Sequence, residues 1–512
     1  MLIPTMSISV LLVVPSIASA AAATSCDVSR HGAQGGGADD TAVLQGILDD
    51  PACAEVLFPA GRKFAASVLF VRRSDVVLTL EANATLSGLP AAFVRDRPDC
   101  ATEAGLEFNW TSWCALLRVE SAANFTLRGT GTIAPGGIGG ASPDFYSAVH
   151  VSSTVGVSLS EVTIHCTAWW WCTVLHNASF VAVSRLFVDG FDGRDGLDMV
   201  NCRHVLVEDS RIEGSDDALC FKTISNDGLA AHPSFNVTVR RSMIASHWCN
   251  AIQFGSATEV DMHGFTIEDV RITSARKAAI GIVSMDGANI SAVLLRNVTI
   301  DGRASIATPL FVKIGNRADC EDGKGTCWRP GSIRDVRVTR MTAVEWGHVS
   351  HPAPGHGASY TITVEGLNAS YPAGPLTIDS LTLATPGGGT AADAAVEPPF
   401  SPLQYQPRFD GTRPSFGLFA RFVRNLSVAA SSIRLDADEA DGRPAIVADR
   451  VSGLRLKALD VGGGGGAEAP CQLAARNCSG DWSDGGKLPS CEWRPAASVA
   501  ETWGSHEVLS GD

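Results

Sequence analysis

The chain has 512 residues, a net charge of −14 and 45% hydrophobic residues, which is enough for several ordinary domains or one long solenoid. The acidic balance argues against nucleic acid and against an anionic membrane surface as partners. No later stretch approaches the ~20 apolar residues of a membrane span, and 51 glycines among short runs of Val, Ile and Thr favour strands and turns over helices.

The N-terminus is apolar over the length of a signal peptide and reaches small residues at Ala18-Ser19-Ala20, a cleavage-site pattern. We expect residues 1–23 to be removed and the protein to be secreted. Fourteen cysteines fit that oxidising route. Cys26 and Cys53 flank the first helix candidate, Cys100 and Cys114 bracket one loop, Cys320 and Cys327 another, and Cys471, Cys478 and Cys491 crowd the end of the chain. Ten Asn-x-Ser/Thr sequons, including Asn83, Asn109, Asn124, Asn177, Asn236 and Asn289, add support for a secreted glycoprotein.

A Gly-rich turn then leads to Asp39, Asp40 or Thr41 as an N-cap. Val43, Leu44, Ile47 and Leu48 follow on one helical face. A single helix ahead of many strands reads as the cap over the first rung of a solenoid. From Val76 onward the strand runs repeat. The runs starting at Phe180, His204, Asn236, Gly264 and Ala292 lie 24 to 32 residues apart, a solenoid period. Each run reads as two short strands joined by a polar corner, apolar side inward. The leucine-rich frame, with a helix per repeat, is absent. The expected fold is therefore an all-β parallel β-helix over residues 24–461. Ser350 to Ser415 form a Pro-rich excursion, either a cleft wall or a decorative insertion. Residues 462–512 read as a Gly-rich linker and a disulfide-tied tail.

Chemistry concentrates between Asp195 and Lys222. An Asp-Gly-x-Asp step begins at Asp195, and the pair Asp216-Asp217 follows about one repeat later. Asp pairs often sit in turns bonded to backbone amides, and Asp39-Asp40 and Asp49-Asp50 repeat the pattern in this chain. One coil of separation changes the reading, because it brings Asp195 onto the same outer face as the pair. Acid-catalysed cleavage of a sugar bond needs such a set: one carboxyl protonates the leaving oxygen and another takes a proton from water. Adjacent strand residues face opposite ways, so Asp216 and Asp217 act together only at a corner, and Gly214-Ser215 supplies one. Crowded carboxylates raise at least one pKa of the set. Trp170, within Trp169-Trp170-Trp171, is either core packing or a sugar-stacking platform. His247 is either a ligand to substrate or a satisfied surface His. Lys313 and Arg317 either meet an acidic sugar or form surface ion pairs.

The run HGAQGGGADDTAVLQ, then VLFPAG, DGLD, SDDALCFK, the repeats and RPAIVADRVSGLRLKAL resemble glycoside hydrolase family 28, the polygalacturonases and their relatives, over Asp27 to Val461. The resemblance implies a right-handed parallel β-helix and hydrolysis of a pectic polysaccharide with inversion. It implies Asp216 as general acid and Asp195 and Asp217 as the carboxylates that hold and deprotonate water. Lys222 matches a family Lys. Asn250 stands where the family has His, and Gly281 and Val283 stand where it has the Arg and Lys that meet a uronate carboxylate. That change points away from galacturonate at the cleavage site.

The expected function is thus a secreted inverting glycoside hydrolase, monomeric, without cofactor, acting on a polysaccharide. Two other classes stay open: a lyase on the same architecture, using the Asp cluster for Ca²⁺, and a non-catalytic carbohydrate-binding protein.

Overall fold

The computed structural model describes residues 24–89, 114–135, 146–166, 171–190, 193–225, 232–301, 306–317, 329–344, 361–407, 410–436, 440–462, 471–482 and 488–496. Nearly all of these form parallel strands wound into three stacked sheets. One coil reads Leu197–Val200, Arg203–Glu208 and Arg211–Gly214, and the next reads Leu219–Thr223, Ser234–Arg240 and Met243–Ser246. Each strand pairs in parallel with its counterpart one coil away. The sequence pattern gave two strands per coil; the structure has three. The missing strand is the short one preceding each run, and it forms the first sheet, which carries the site.

Alternation explains the second sheet. In Arg203–Glu208 only Val205 and Val207 are buried, and they stack between Val181 and Val183 below and Val237 and Val239 above. One apolar column per inward position produces a single continuous core from Cys26 to Leu488. The corners use left-handed residues. Asn83, Asn124, Asn177, Asn236, Asn297, Asn425 and Asn477 all have φ between 53° and 60°, a conformation that Asn tolerates better than most residues. The amides of Asn124 and Asn297 also bond the carboxylates of Asp75 and Asp269, one coil below each. Seven of the sequon asparagines therefore have a structural reason to be Asn.

The helix forms at Thr41–Asp49, with Leu44, Ile47 and Leu48 buried against the first coil. Asp40 stands at its N-cap but makes no side-chain cap bond. Its carboxylate accepts from the Gln34 and Gly35 amides instead. Cys26 bonds to Cys53, Cys166 to Cys172 and Cys471 to Cys491. Cys100, Cys320 and Cys327, like residues 1–23, lie outside the described residues. The ladders run past Val461: Leu473–Arg476 pairs with Ile446–Lys457, and Ser490–Glu492 pairs with Leu473–Arg476. No helix among the described residues is long and apolar enough to cross a membrane.

Candidate active site

Register builds the site. Leu197, Leu219, Ile252 and Ile280 are partners in successive coils of the first sheet. Two residues before each of them stand Asp195, Asp217, Asn250 and Ala278. Their carbonyls accept in turn from Cys172, Gly196, Ala218 and Ala251, so the four form one stacked column. One residue earlier stands a second column, Arg194, Asp216, Cys249 and Lys277. One earlier again is Gly193, Ser215, Trp248 and Arg276. Asp216 and Asp217 occupy the corner between Arg211–Gly214 and Leu219–Thr223, which lets two neighbouring side chains reach one site. The corner is tight: a Cβ on Gly214 would stand 2.6 Å from the Asp217 carbonyl oxygen.

The three predicted carboxylates come together. Oxygen atoms of Asp216 and Asp217 lie within 4.8 Å of each other and of Cys249 Sγ, and those of Asp195 and Asp217 lie equally near Cys220 Sγ. Asp217 is thus the shared member. Its Oδ1 accepts from both the backbone and the side-chain amide of Asn250, each at 2.9 Å, and Asn250 Oδ1 accepts from the Ala278 amide. Burial, followed by the charges of Asp216 and Asp195, pushes the Asp217 carboxyl up to about 6. Burial also works to raise Asp216, but Lys277 and Arg194 outweigh it and hold that carboxyl below its usual value. Arg194 Nη2 donates to Asp216 Oδ2 at 3.0 Å. Below about pH 6 the proton shared by the pair therefore sits on Asp217, whereas the family resemblance puts the acid at Asp216.

Lys222 is buried. Its Nζ donates to Asp195 at 2.6 Å and to Asp198, under the Trp171 ring at 3.7 Å. Burial disfavours the ammonium, but Asp195 and Asp198 overcome it and raise its pKa well above the usual value. Burial works against the Lys277 ammonium too, but the carboxylates of Asp217 and Asp216 help to raise its pKa above the usual value. The site thus holds two ammonium groups beneath its carboxylates, and both Cys220 and Cys249 stay protonated thiols because burial raises their pKa well above normal.

Other candidates fall elsewhere. His247 is exposed at the rim, its ring 4.9 Å from Trp248. Trp170 lies outside the described residues. Arg317 does not reach the Asp cluster: it donates to both oxygens of Asp286 and to Ser256. Lys313 is buried and committed to Asp410 and Ser401, so it does not meet a sugar. The positions that carry cations in the family are filled differently. Gln253 lies over Gly281, where a Cβ would come within 2.2 Å of Gln253 Oε1. Val283 is buried with Ala278, Met285 and Phe311 against Tyr405.

Sequence reasoning missed Arg194, Asp198, Cys220, Cys249, Gln253 and Trp248. The signal was the offset itself: the two positions before each first-sheet strand collect charge, but that strand was not recognised. Trp248 is half-exposed, with Arg276 stacked 3.8 Å above its ring. With Asp216 and Arg194, each about one-third exposed, it forms the open rim of the site.

No family model matches the chain, and no curated protein matches it. Among solved structures, an exopolygalacturonase from Thermotoga maritima superposes with a TM-score of 0.52 at 15% identity, covering 70% of this chain and 86% of that one. A family 28 exopolygalacturonase from Yersinia enterocolitica superposes with a TM-score of 0.51 at 14% identity, covering 89% and 77%. At these identities the likeness is one of fold: this chain has a polygalacturonase-like parallel β-helix.

Proposed function

We propose that this chain is a secreted glycoside hydrolase that cleaves a pectic or related polysaccharide at the Asp195–Asp216–Asp217 corner. The observation that carries the reading is the grouping itself: three carboxylates at an open corner, one with its pKa pushed up to about 6 and another held ionised by Arg194 and Lys277. Such a split is what acid/base cleavage of an acetal requires. In this reading Asp216, at the rim, passes the proton held by the Asp216–Asp217 pair to the leaving oxygen. Asp195, fixed by Lys222, and Asp217, fixed by Asn250, hold and deprotonate water. Two coupled carboxylates titrate as a pair, so Asp216 draws on the Asp217 proton as the leaving oxygen gains charge.

The inverting course is part of this proposal. The close approach of Asp216 and Asp217 is shorter than the ~6.5–9.5 Å typical of inverting pairs and nearer the ~5–5.5 Å of retaining ones. Following the anomer of the first product by proton NMR separates the two courses. The right-handed winding, the capping role of Thr41–Asp49 and the cleavage of residues 1–23 belong to the same proposal. Winding follows the ~98% preference of parallel crossovers.

The substrate reading rests on Gly281 and Val283. Neither can pair with a uronate carboxylate, and an anionic sugar buried without a partner loses several kcal/mol, roughly. We expect weak release of reducing ends from polygalacturonate and stronger release from rhamnogalacturonan or a neutral galactan. Strong cleavage of polygalacturonate, lost on Arg276→Ala with the fold and the cleavage of neutral glycans retained, would assign the uronate to that rim cation instead.

A further inference from the structure

The structure assigns residues 393–407, with Asp410 and Arg413, the part of an end-stop that makes this site act from a chain end. The inference deepens the hydrolase reading and rests on it.

Sugar chains bound on the first sheet would run along its outer face, across successive coils. Beyond the Asp corner that face is already occupied by the protein's own chain. The outward side chains Lys313, Glu365, Arg421 and Asp449 stand in one column, paired coil to coil. All four are at most 4% exposed. The covering segment follows the same axis. The Pro402 carbonyl accepts from the Asn316 amide at 2.8 Å, and Ser401 Oγ accepts from Lys313. The carbonyls of Pro398 and Pro399 accept from Arg421, Glu397 accepts from Arg476, and the Ala394 carbonyl accepts from Trp493 Nε1. From residue 402 back to 394 the segment thus crosses the coils that begin at Ile306, Ile362, Leu418, Ile446, Leu473 and Ser490.

Its leading edge meets the site. Tyr405 packs on Ala278, Val283, Met285 and Phe311, immediately beyond Gln253 and Gly281. Asp410 binds both Lys313 and Arg413, Ser401 accepts from Lys313, and the Pro398 and Pro399 carbonyls accept from Arg421, so the segment is anchored on buried charged side chains and does not drape loosely. Beside the corner, Trp171, Val174, Val200 and Ile224 form a second apolar cluster across the coil that precedes Asp195 and the coils of Asp195 and Asp217. Among the described residues, what stays open is the rim at Arg194, Asp216 and Trp248. A polymer that continued in both directions along the sheet would collide with Tyr405, whereas a terminal residue would fit against it.

The test uses octasaccharides of polygalacturonate, rhamnogalacturonan and β-1,4-galactan tagged at the reducing end, digested by the wild-type protein and by Tyr405→Ala, with products sized over time. Wild type is expected to remove units stepwise from one end, so that the tagged ladder shortens in order or a single short tagged product appears from the first time point. Tyr405→Ala is expected to add internal cuts, at least tenfold more than wild type. Early mid-length products from wild type overturn the end-stop and leave the hydrolase reading standing. An unchanged product set in a folded Tyr405→Ala protein also overturns it. No product from any octasaccharide, nor from the parent polymers, overturns the hydrolase reading and this inference with it.

Discussion

Asp216 and Asp217 are neighbours in sequence with opposite electrostatic surroundings. Asp216 faces Arg194 and Lys277; Asp217 faces Asp195 and Asp216 and is the more deeply enclosed. Asp216→Asn leaves the Arg194 contact a neutral acceptor, and the fold should survive. The expected loss in kcat is ~10²–10⁴-fold, the usual worth of a general acid, read from initial rates with circular dichroism as the folding control. The pH dependence follows from Asp217. Its carboxyl rises from 3.8 to about 6 in the folded protein, so the proton is present below about pH 6 and lost above it. kcat/KM should therefore fall as pH rises through 6. The same shift makes the folded state bind the extra proton. The contribution of this group to stability is thus fullest below its unfolded pKa and is lost as pH rises through its folded pKa. A flat profile between pH 5 and 7 would remove Asp217 from the mechanism.

At the scale of the element, the first-sheet strand decides the site. Its positions recur with Leu197, Leu219, Ile252 and Ile280, yet the stretch around each of them is mostly buried on both sides. That removes the period-2 alternation by which the second-sheet strands were recognised. The Asp residues were legible because three of them lie within one coil of each other. Their partners Arg194 and Cys249 were not: they join only through register. Asn250 was legible as a replacement, but its service to Asp217 needed the coil-to-coil offset. Register also constrains repair of the lost cation. Gly281→Arg would drive its Cβ into Gln253 Oε1, and overpacking of this kind costs ~1–3 kcal/mol. We expect Gly281→Arg to lower the thermal midpoint and Gly281→Arg with Gln253→Ala to recover most of the loss. Equal midpoints for the two variants would show that Gln253 does not fill that space.

Across the whole molecule, the sequence carried the solenoid and the excursion between Ser350 and Ser415, and it left open whether that excursion walls a cleft. Charge pairs such as Lys313 with Asp410 are 97 residues apart, a distance over which a single sequence holds no pairing signal. Within the described part of the excursion, Ile362–Glu365, Leu376–Asp379 and Thr382–Thr385 form a regular coil paired with the coils on either side, and residues 393–407 lie along the first sheet. Breaking one of its buried pairs leaves an uncompensated charge, so Asp410→Ala should cost ~3–5 kcal/mol, seen as a lower denaturation midpoint. A change within error would mean that Lys313 and Arg413 find water in its place. The fold is the part best supported by comparison, while the chemistry rests on this chain's own residues. The most direct measurement is digestion of polygalacturonate, rhamnogalacturonan and neutral galactan at about pH 5, below the pKa of the proton-bearing carboxyl, by wild type and Asp216→Asn in parallel. The account predicts new reducing ends from at least one glycan with wild type and a loss of ~10²-fold or more with Asp216→Asn. Equal release by the two proteins, or release of an unsaturated product absorbing in the ultraviolet, would contradict it.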